Sequence, residues 1–325
     1  MEGLIEDILI GTGVSLLVAL LFGAFDGGGG GGSGGGSDDA GAEPEPDPIP
    51  PFDGVPTFEG TDGPDAHAGG DGADAIFGYG GEDALSGGAG DDRIEGGLFA
   101  DAIDGGPGDD VLRGDEGPDV IDGGDGADLI SGDRGDDTLD GGPGDDRLYG
   151  RGGADRIFGG AGDDDLSGWF GDDRLTGGRG ADLLRGGGGD DLLIGRVLVG
   201  RDDTDAADRL EGGEGRDRLV LGAGDTGYGG AGGLPDAQAD SFVAGDWTVG
   251  APARIADFDP ASGDTLELLY DPDGPVPEVT VASEPSGDGT LWTVALDGAA
   301  AVTLTAPPGA DWTLTADDIA LSPEV

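Results

Sequence analysis

Apolar side chains between Gly60 and Ile194 recur neither every second position nor every 3.6, but once in nine. Cut into nonapeptides from Gly60, this stretch holds fifteen units without a gap, such as Gly87–Glu95 (GGAGDDRIE) and Gly105–Arg113 (GGPGDDVLR). The eighth position is Ile or Leu in fourteen units, from Ile76 to Leu193, and His67 takes the slot in the first. A segment such as Arg93-Ile94-Glu95 has room for a three-residue strand with one side chain pointing inward. The six residues before it must turn the chain, and glycine at positions one, two and four is expected to supply positive φ angles there. The first position is Gly in every unit. The sixth is Asp in every unit: Asp65, Asp74, Asp83, Asp92, Asp101, Asp110, Asp119, Asp128, Asp137, Asp146, Asp155, Asp164, Asp173, Asp182 and Asp191. After an interruption at Gly195–Asp202 a degenerate unit follows (Asp203–Glu211, with Asp208 at position six). A clearer one, GGEGRDRLV, spans Gly212–Val220 and carries Asp217.

This nonad, G-G-x-G-x-D-x-U-x, resembles the repeat of the RTX, or hemolysin-type calcium-binding, proteins. The resemblance covers Gly60–Val220 closely and the remainder to Val325 loosely. It implies calcium as the bound ion, export by type I secretion machinery, and an uncleaved export signal near the carboxyl end, here Thr305–Val325.

The residue types agree physically. Two nonads make one coil, so unit i stacks on unit i+2 at about 4.8 Å, the spacing of parallel strands. The fold class expected is all-β: a parallel β-roll, a β-rich C-terminal cap and export region, and a short N-terminal hydrophobic helix. Stacking brings the position-six carboxylates together with glycine carbonyls of positions one and four, such as Gly87, Gly90, Gly105, Gly108, Gly123, Gly126, Gly141 and Gly144. A shell made only of oxygen suits calcium, which takes six to eight such ligands. Charge points the same way. The chain has 70 acidic and 15 basic residues and a formal charge of −55, and the fifteen units alone hold 31 Asp, 3 Glu and 9 Arg. One aliphatic residue per nonad is a thin core, and like charges oppose coiling. Calcium binding is therefore expected to be coupled to folding, with the sites empty in a low-calcium cytosol and filled outside the cell. The position-five acids Asp91, Asp109, Asp145 and Asp190 are expected either to assist the metal or to face solvent. Arg134, Arg147, Arg156 and Arg185 should face outward and relieve repulsion.

The flanks differ in composition. Residues 1–25 include Ile8–Phe25, eighteen residues without a charge, a candidate membrane helix or membrane contact without a cleavage site for a signal peptidase. Residues 26–59 read as a Gly/Ser/Pro-rich linker. Residues 60–220 are the repeats, interrupted at 195–202. Residues 221–325 show strand-like runs at Ala253–Phe258, Thr265–Tyr270, Glu278–Ala282, Leu291–Leu296 and Ala301–Thr305. In that region Asp240 and Phe242 resemble a closing nonad, Trp247, Trp292 and Trp312 are expected to pack, and Asp257, Asp259 and Asp264 form either a further calcium site or surface turns.

Chemistry is bounded by what is missing. There is no Cys and one His, which excludes thiolate nucleophiles and sites needing two imidazoles. The acidity is unfavourable for nucleic acid. His67 sits in a core slot and is expected to cap, not to catalyse. The function expected is that of a non-catalytic, secreted calcium-binding protein. The alternatives are a cell-surface adhesin or an accessory part of an RTX toxin or enzyme, the last disfavoured because the upstream residues are only a hydrophobic segment and a linker.

Overall fold

The computed structural model describes residues 57–195, 198–199, 202–203, 206–230, 238–245, 251–270, 276–286, 289–306 and 313–323. The candidate helix at Ile8–Phe25, the linker before residue 57, Trp247 and Trp312 lie outside them. Among the described residues no helix is long and apolar enough to cross a membrane.

The period of eighteen residues sets the topology. Ile94 lies opposite Ile76 on one side and Leu112 on the other, while Leu139 lies between Ile121 and Ile157, all in parallel pairing. Odd and even units thus enter separate sheets, which with the flanking strands number fourteen and twelve among the described residues. Position-eight side chains from both sheets form a single core, and Ile94, Leu112, Ile130, Leu148 and Leu166 have no exposure at all. The roll is therefore the expected parallel all-β coil.

Two details depart from expectation. Most strands run six residues instead of three, as in Arg93–Leu98 and Leu129–Arg134, because the chain stays paired through positions one to three of the next unit. Positive φ angles fall at positions two and four, for example Gly88 (106°) and Gly90 (127°), and not at position one. Glycine at position one answers a different demand, described below.

The interruption after Ile194 is looped out. Leu184 pairs with Leu210 and Leu193 with Leu219, so stacking resumes as though no residues had been added, and Leu198–Val199 pairs antiparallel with Asp202–Asp203 in the excursion. Stacking also carries on past Val220. Phe242 pairs with Leu219 and Leu266, and Ile319 with Leu266. The strand Ala299–Ala306 joins Ala253–Ile255 in parallel, then continues antiparallel through Gly289–Leu296 to Val279–Ser286. Trp292 packs against the core, and the Phe242 and Phe258 rings meet edge on at 6.0 Å. These wider side chains fill the end that small nonads would leave thin. At the other end His67 stacks on Phe58, ring centroids 4.0 Å apart and nearly parallel.

Candidate metal centre

Each position-six Asp sits between the glycine turn and the strand that carries the core residue. Its Oδ1 accepts the backbone N–H of the Asp eighteen residues earlier: Asp74 donates to Asp92 at 2.7 Å, Asp92 to Asp110 at 2.7 Å, and Asp110 to Asp128 at 2.8 Å. The same bond links Asp65 to Asp83, then Asp83, Asp101, Asp119, Asp137, Asp155, Asp173 and Asp191 in turn. Asp182 donates to Asp208 and Asp191 to Asp217 across the looped-out segment. Two ladders of carboxylates thus run the length of the roll, one per set of turns.

From Asp83 to Asp217 these side chains are buried. One oxygen of each has an N–H partner, whereas Oδ2 of Asp83, Asp92, Asp101, Asp110, Asp119, Asp128, Asp137, Asp146, Asp155, Asp164, Asp173 and Asp191 is buried without a hydrogen bond. A buried carboxylate oxygen with no partner is costly unless the group is neutral or faces a cation. Burial accordingly pushes Asp101, Asp110, Asp119, Asp128, Asp164 and Asp173 up to about 7, the backbone N–H pulling down and neighbouring carboxylates adding to the rise. Asp137 and Asp191 reach about 8, and Asp146 and Asp155 about 6, again with burial as the leading cause.

Position-one glycine makes room beside these oxygens. A Cβ on Gly105 would lie 2.4 Å from Asp110 Oδ2 and 2.5 Å from the Gly123 carbonyl oxygen. On Gly123 it would lie 2.4 Å from Asp128 Oδ2 and 2.7 Å from the Gly141 carbonyl, and on Gly141 2.5 Å from Asp146 Oδ2. On Gly87 it would meet Asp92 Oδ2 at 2.2 Å. A carboxylate oxygen and a backbone carbonyl therefore face one small cradle that any side chain would fill. Among the described residues no three carboxylates or imidazoles gather at one point. An ion here must share its contacts between carboxylate and carbonyl oxygen, as hard calcium does.

The remaining predicted residues have contacts of their own. Position-four glycines stack on one another: a Cβ on Gly108 would meet the Gly90 carbonyl oxygen at 2.0 Å, on Gly126 that of Gly108 at 1.7 Å, and on Gly144 that of Gly126 at 1.5 Å. Their closest neighbours are thus backbone of the same turn position, not Oδ2. Asp65 and Asp74, in the first turns, are only half-buried, and their Oδ2 accepts N–H from Thr61 (2.6 Å) and Gly70 (2.9 Å). Position-five acids tie turns together: Asp91 accepts from the Asp109 N–H, Asp109 from Ala127, Asp145 from Asp163 and Asp190 from Arg216. Asp257 is buried, with its two oxygens taking the N–H groups of Gly229 and Gly230. Asp264 takes those of Asp240 and Asp259. Asp257 thus caps two glycine N–H groups, while Asp264 takes the Asp240 N–H as Asp240 takes that of Asp217, the bond that joins the ladder. Outward arginines pair as expected, Arg134 with Glu116 (2.9 Å) and Arg185 with Asp165 (2.5 Å).

One rung was hidden in the sequence. Asp225 is buried and accepts the Asp208 N–H at 2.9 Å. Its position-eight residue is Gly227, and Leu219 and Leu221 fill the space where an aliphatic side chain would stand. The only signal was an Asp preceded by Gly224.

Comparison with known proteins agrees with this geometry. A family model described as the RTX calcium-binding nonapeptide repeat (4 copies) matches residues 58–103, 104–139, 140–175, 170–196 and 202–233. No curated protein matches the chain. Among solved structures, the extracellular lipase LipA from Serratia marcescens aligns at 14% identity and a TM-score of 0.14, covering 84% of this chain and 41% of the lipase. The chain thus spans less than half of that protein, and so low a score carries no argument about fold or activity. With more than half its length matched to one repeat model, the chain belongs to the RTX calcium-binding nonapeptide repeat family, and calcium is its cofactor.

Proposed function

We propose that this is a non-catalytic, exported protein whose roll closes when calcium enters the two aspartate ladders. The observation that carries the reading is the row of buried Oδ2 atoms without a donor, each beside a cradle that only glycine leaves open. The ligands would be the position-six carboxylates from Asp83 to Asp191, with Asp208 and Asp217 extending the ladders past the looped-out segment, together with position-one carbonyls such as those of Gly123 and Gly141. Bound calcium supplies the positive charge that lets these carboxylates stay ionised while buried. The chain's own part is to hold one oxygen of each carboxylate by the N–H eighteen residues earlier and aim the other at the cradle. Asp65 and Asp74, whose Oδ2 atoms already accept N–H bonds, would bind weakest. The lone imidazole is stacked on Phe58, which supports a role in closing the core and not in catalysis.

Export follows from the same coupling. Extracellular calcium modules have dissociation constants of about 10⁻⁴–10⁻³ M, so the chain would stay uncoiled in a cytosol and fold outside, after passage led by Thr305–Val325. Residues 60–220 would be the calcium-responsive part, 221–325 the cap and export region, and 1–59 a hydrophobic segment and spacer. Circular dichroism and calorimetry over a calcium titration test this. Cooperative gain of β-structure with several ions bound per chain is expected. Equal β-structure in excess EGTA would overturn it.

A further inference from the structure

Position two of the nonad has positive φ in both sheets, yet the two sheets fill it differently. In the twelve-stranded sheet it is glycine in successive turns, Gly88, Gly106, Gly124, Gly142, Gly160 and Gly178. In the fourteen-stranded sheet the same row reads Tyr79, Gly97, Asp115, Asp133, Arg151 and Trp169, each in register with the next, and every one of the five side chains stands at φ between 71° and 79°. Phe99, at position four, also has positive φ (79°). Bulky residues avoid this backbone region, and strained positions of this kind cluster at functional sites. Nothing in the core requires them: Tyr79 is 50% exposed and Phe99 63%.

At one point this row opens into a cleft. Gly97 has no side chain, so a gap two strand spacings wide separates the Tyr79 ring from the Asp115 carboxylate. Phe77, Glu95, Leu98 and Glu116 close its sides, and the space is about 330 Å³. Two rings and an aliphatic side chain thus meet three carboxylates, and no basic side chain lines the cleft. The carboxylates do have basic neighbours outside it, Glu95 with Arg93, Asp115 with Arg113 and Glu116 with Arg134. The last of these pairs is largely exposed and weak.

We propose that this cleft is a docking site for a basic side chain, Arg or Lys, on a partner polypeptide. The stem of that side chain would lie along Leu98 and Phe77 and its cation between the Tyr79 face and the carboxylates of Asp115 and Glu116. An apolar wall with an acidic rim is complementary to such a side chain and to no anion. The site adjoins one ladder at Gly96, the position-one glycine beside Asp101 Oδ2, but its own carboxylates are Glu95, Asp115 and Glu116 and not the position-six groups.

The test uses the full calcium-saturated chain and a capped, fluorescently labelled hexa-arginine peptide, followed by anisotropy at about 0.15 M salt, where diffuse attraction is screened beyond roughly 8 Å. Tyr79→Gly leaves the net charge unchanged and places glycine where the backbone prefers it, so calcium-loaded melting should not fall. Binding should weaken about tenfold in Tyr79→Gly, the scale of one cation–π contact. Trp169→Gly, in the same row but far along it, should bind as the parent does. Equal affinity for all variants, or equal loss in Trp169→Gly, would mean unspecific attraction to an acidic protein and overturn the proposal. Binding of a neutral hexasaccharide that depends on Tyr79 while hexa-arginine binding does not would overturn it in favour of a carbohydrate.

Discussion

Glycine performs two separate tasks in this chain, and single residues show which is which. Gly105 has an ordinary φ, but a Cβ there would strike both Asp110 Oδ2 and the Gly123 carbonyl oxygen. Gly70 occupies the neighbouring position in the first turn with nothing within 4 Å of a Cβ. Gly105→Ala should therefore remove at least one bound ion in calorimetry and lower the calcium-loaded melting temperature, while Gly70→Ala should leave both unchanged. Equal effects from the two would show that position one does not guard the ion. The regular Gly and Asp columns made these residues visible in the sequence. The distinction between space and backbone angle was not visible, because both demands select the same residue. Asp225 was hidden for the opposite reason, since its unit lacks the aliphatic marker and borrows Leu219 and Leu221 from elsewhere.

Each strand contributes one buried aliphatic residue, so each rung has little to spare. Leu148 lies fully buried between Ile130 and Leu166 of the adjoining turns. Leu148→Ala should destabilise the calcium-loaded roll by about 2–5 kcal/mol, measured by denaturant unfolding at saturating calcium. Because every turn touches only its neighbours, the effect should spread as a loss of cooperativity, seen as a broader transition. The eighteen-residue period made the pairing legible in advance. Strand length was not, because positions one to three carry glycine and polar residues that read as turn but remain paired in the stacked coil. On the outside of the twelve-stranded sheet, Asp104, Asp122 and Asp140 stand in register, with Asp122 and Asp140 pushed up to about 6 by burial and by the preceding Asp. They add to the repulsion that calcium must offset.

For the whole molecule, pH and calcium act on the same carboxylates in opposite directions. Burial raises the inner ladder groups, Asp146 to about 6, Asp101 to about 7 and Asp137 to about 8, against about 3.9 in an unfolded chain. A folded-state value above the unfolded one means that the folded form binds more protons. The resulting stability is fully present below about pH 4 and is lost as pH rises through 6 to 8. In calcium-free buffer the chain should accordingly gain β-structure on acidification from pH 7.5 to pH 4.5, followed by circular dichroism. A chain that stays uncoiled throughout would contradict the raised values. At neutral pH calcium must displace those protons, so calcium-dependent folding should strengthen where proton-dependent folding fades.

The sequence by itself determined the repeat, its two-unit coil and the identity of the core residues, and its resemblance to a known repeat implied the ion. Each of these depends on residue type at a fixed spacing, and the eighteen-residue register of the strands follows that spacing. Only the tertiary structure decided which carboxylate oxygen is held and which is left for a cation, because that choice depends on an N–H eighteen residues away. It also decided that the end carboxylates Asp65 and Asp74 differ from those inside, since their burial depends on the turns stacked around them. The aromatic cleft at Tyr79 likewise needed coordinates: its walls come from three successive turns of one sheet, and its opening from the side chain that Gly97 lacks.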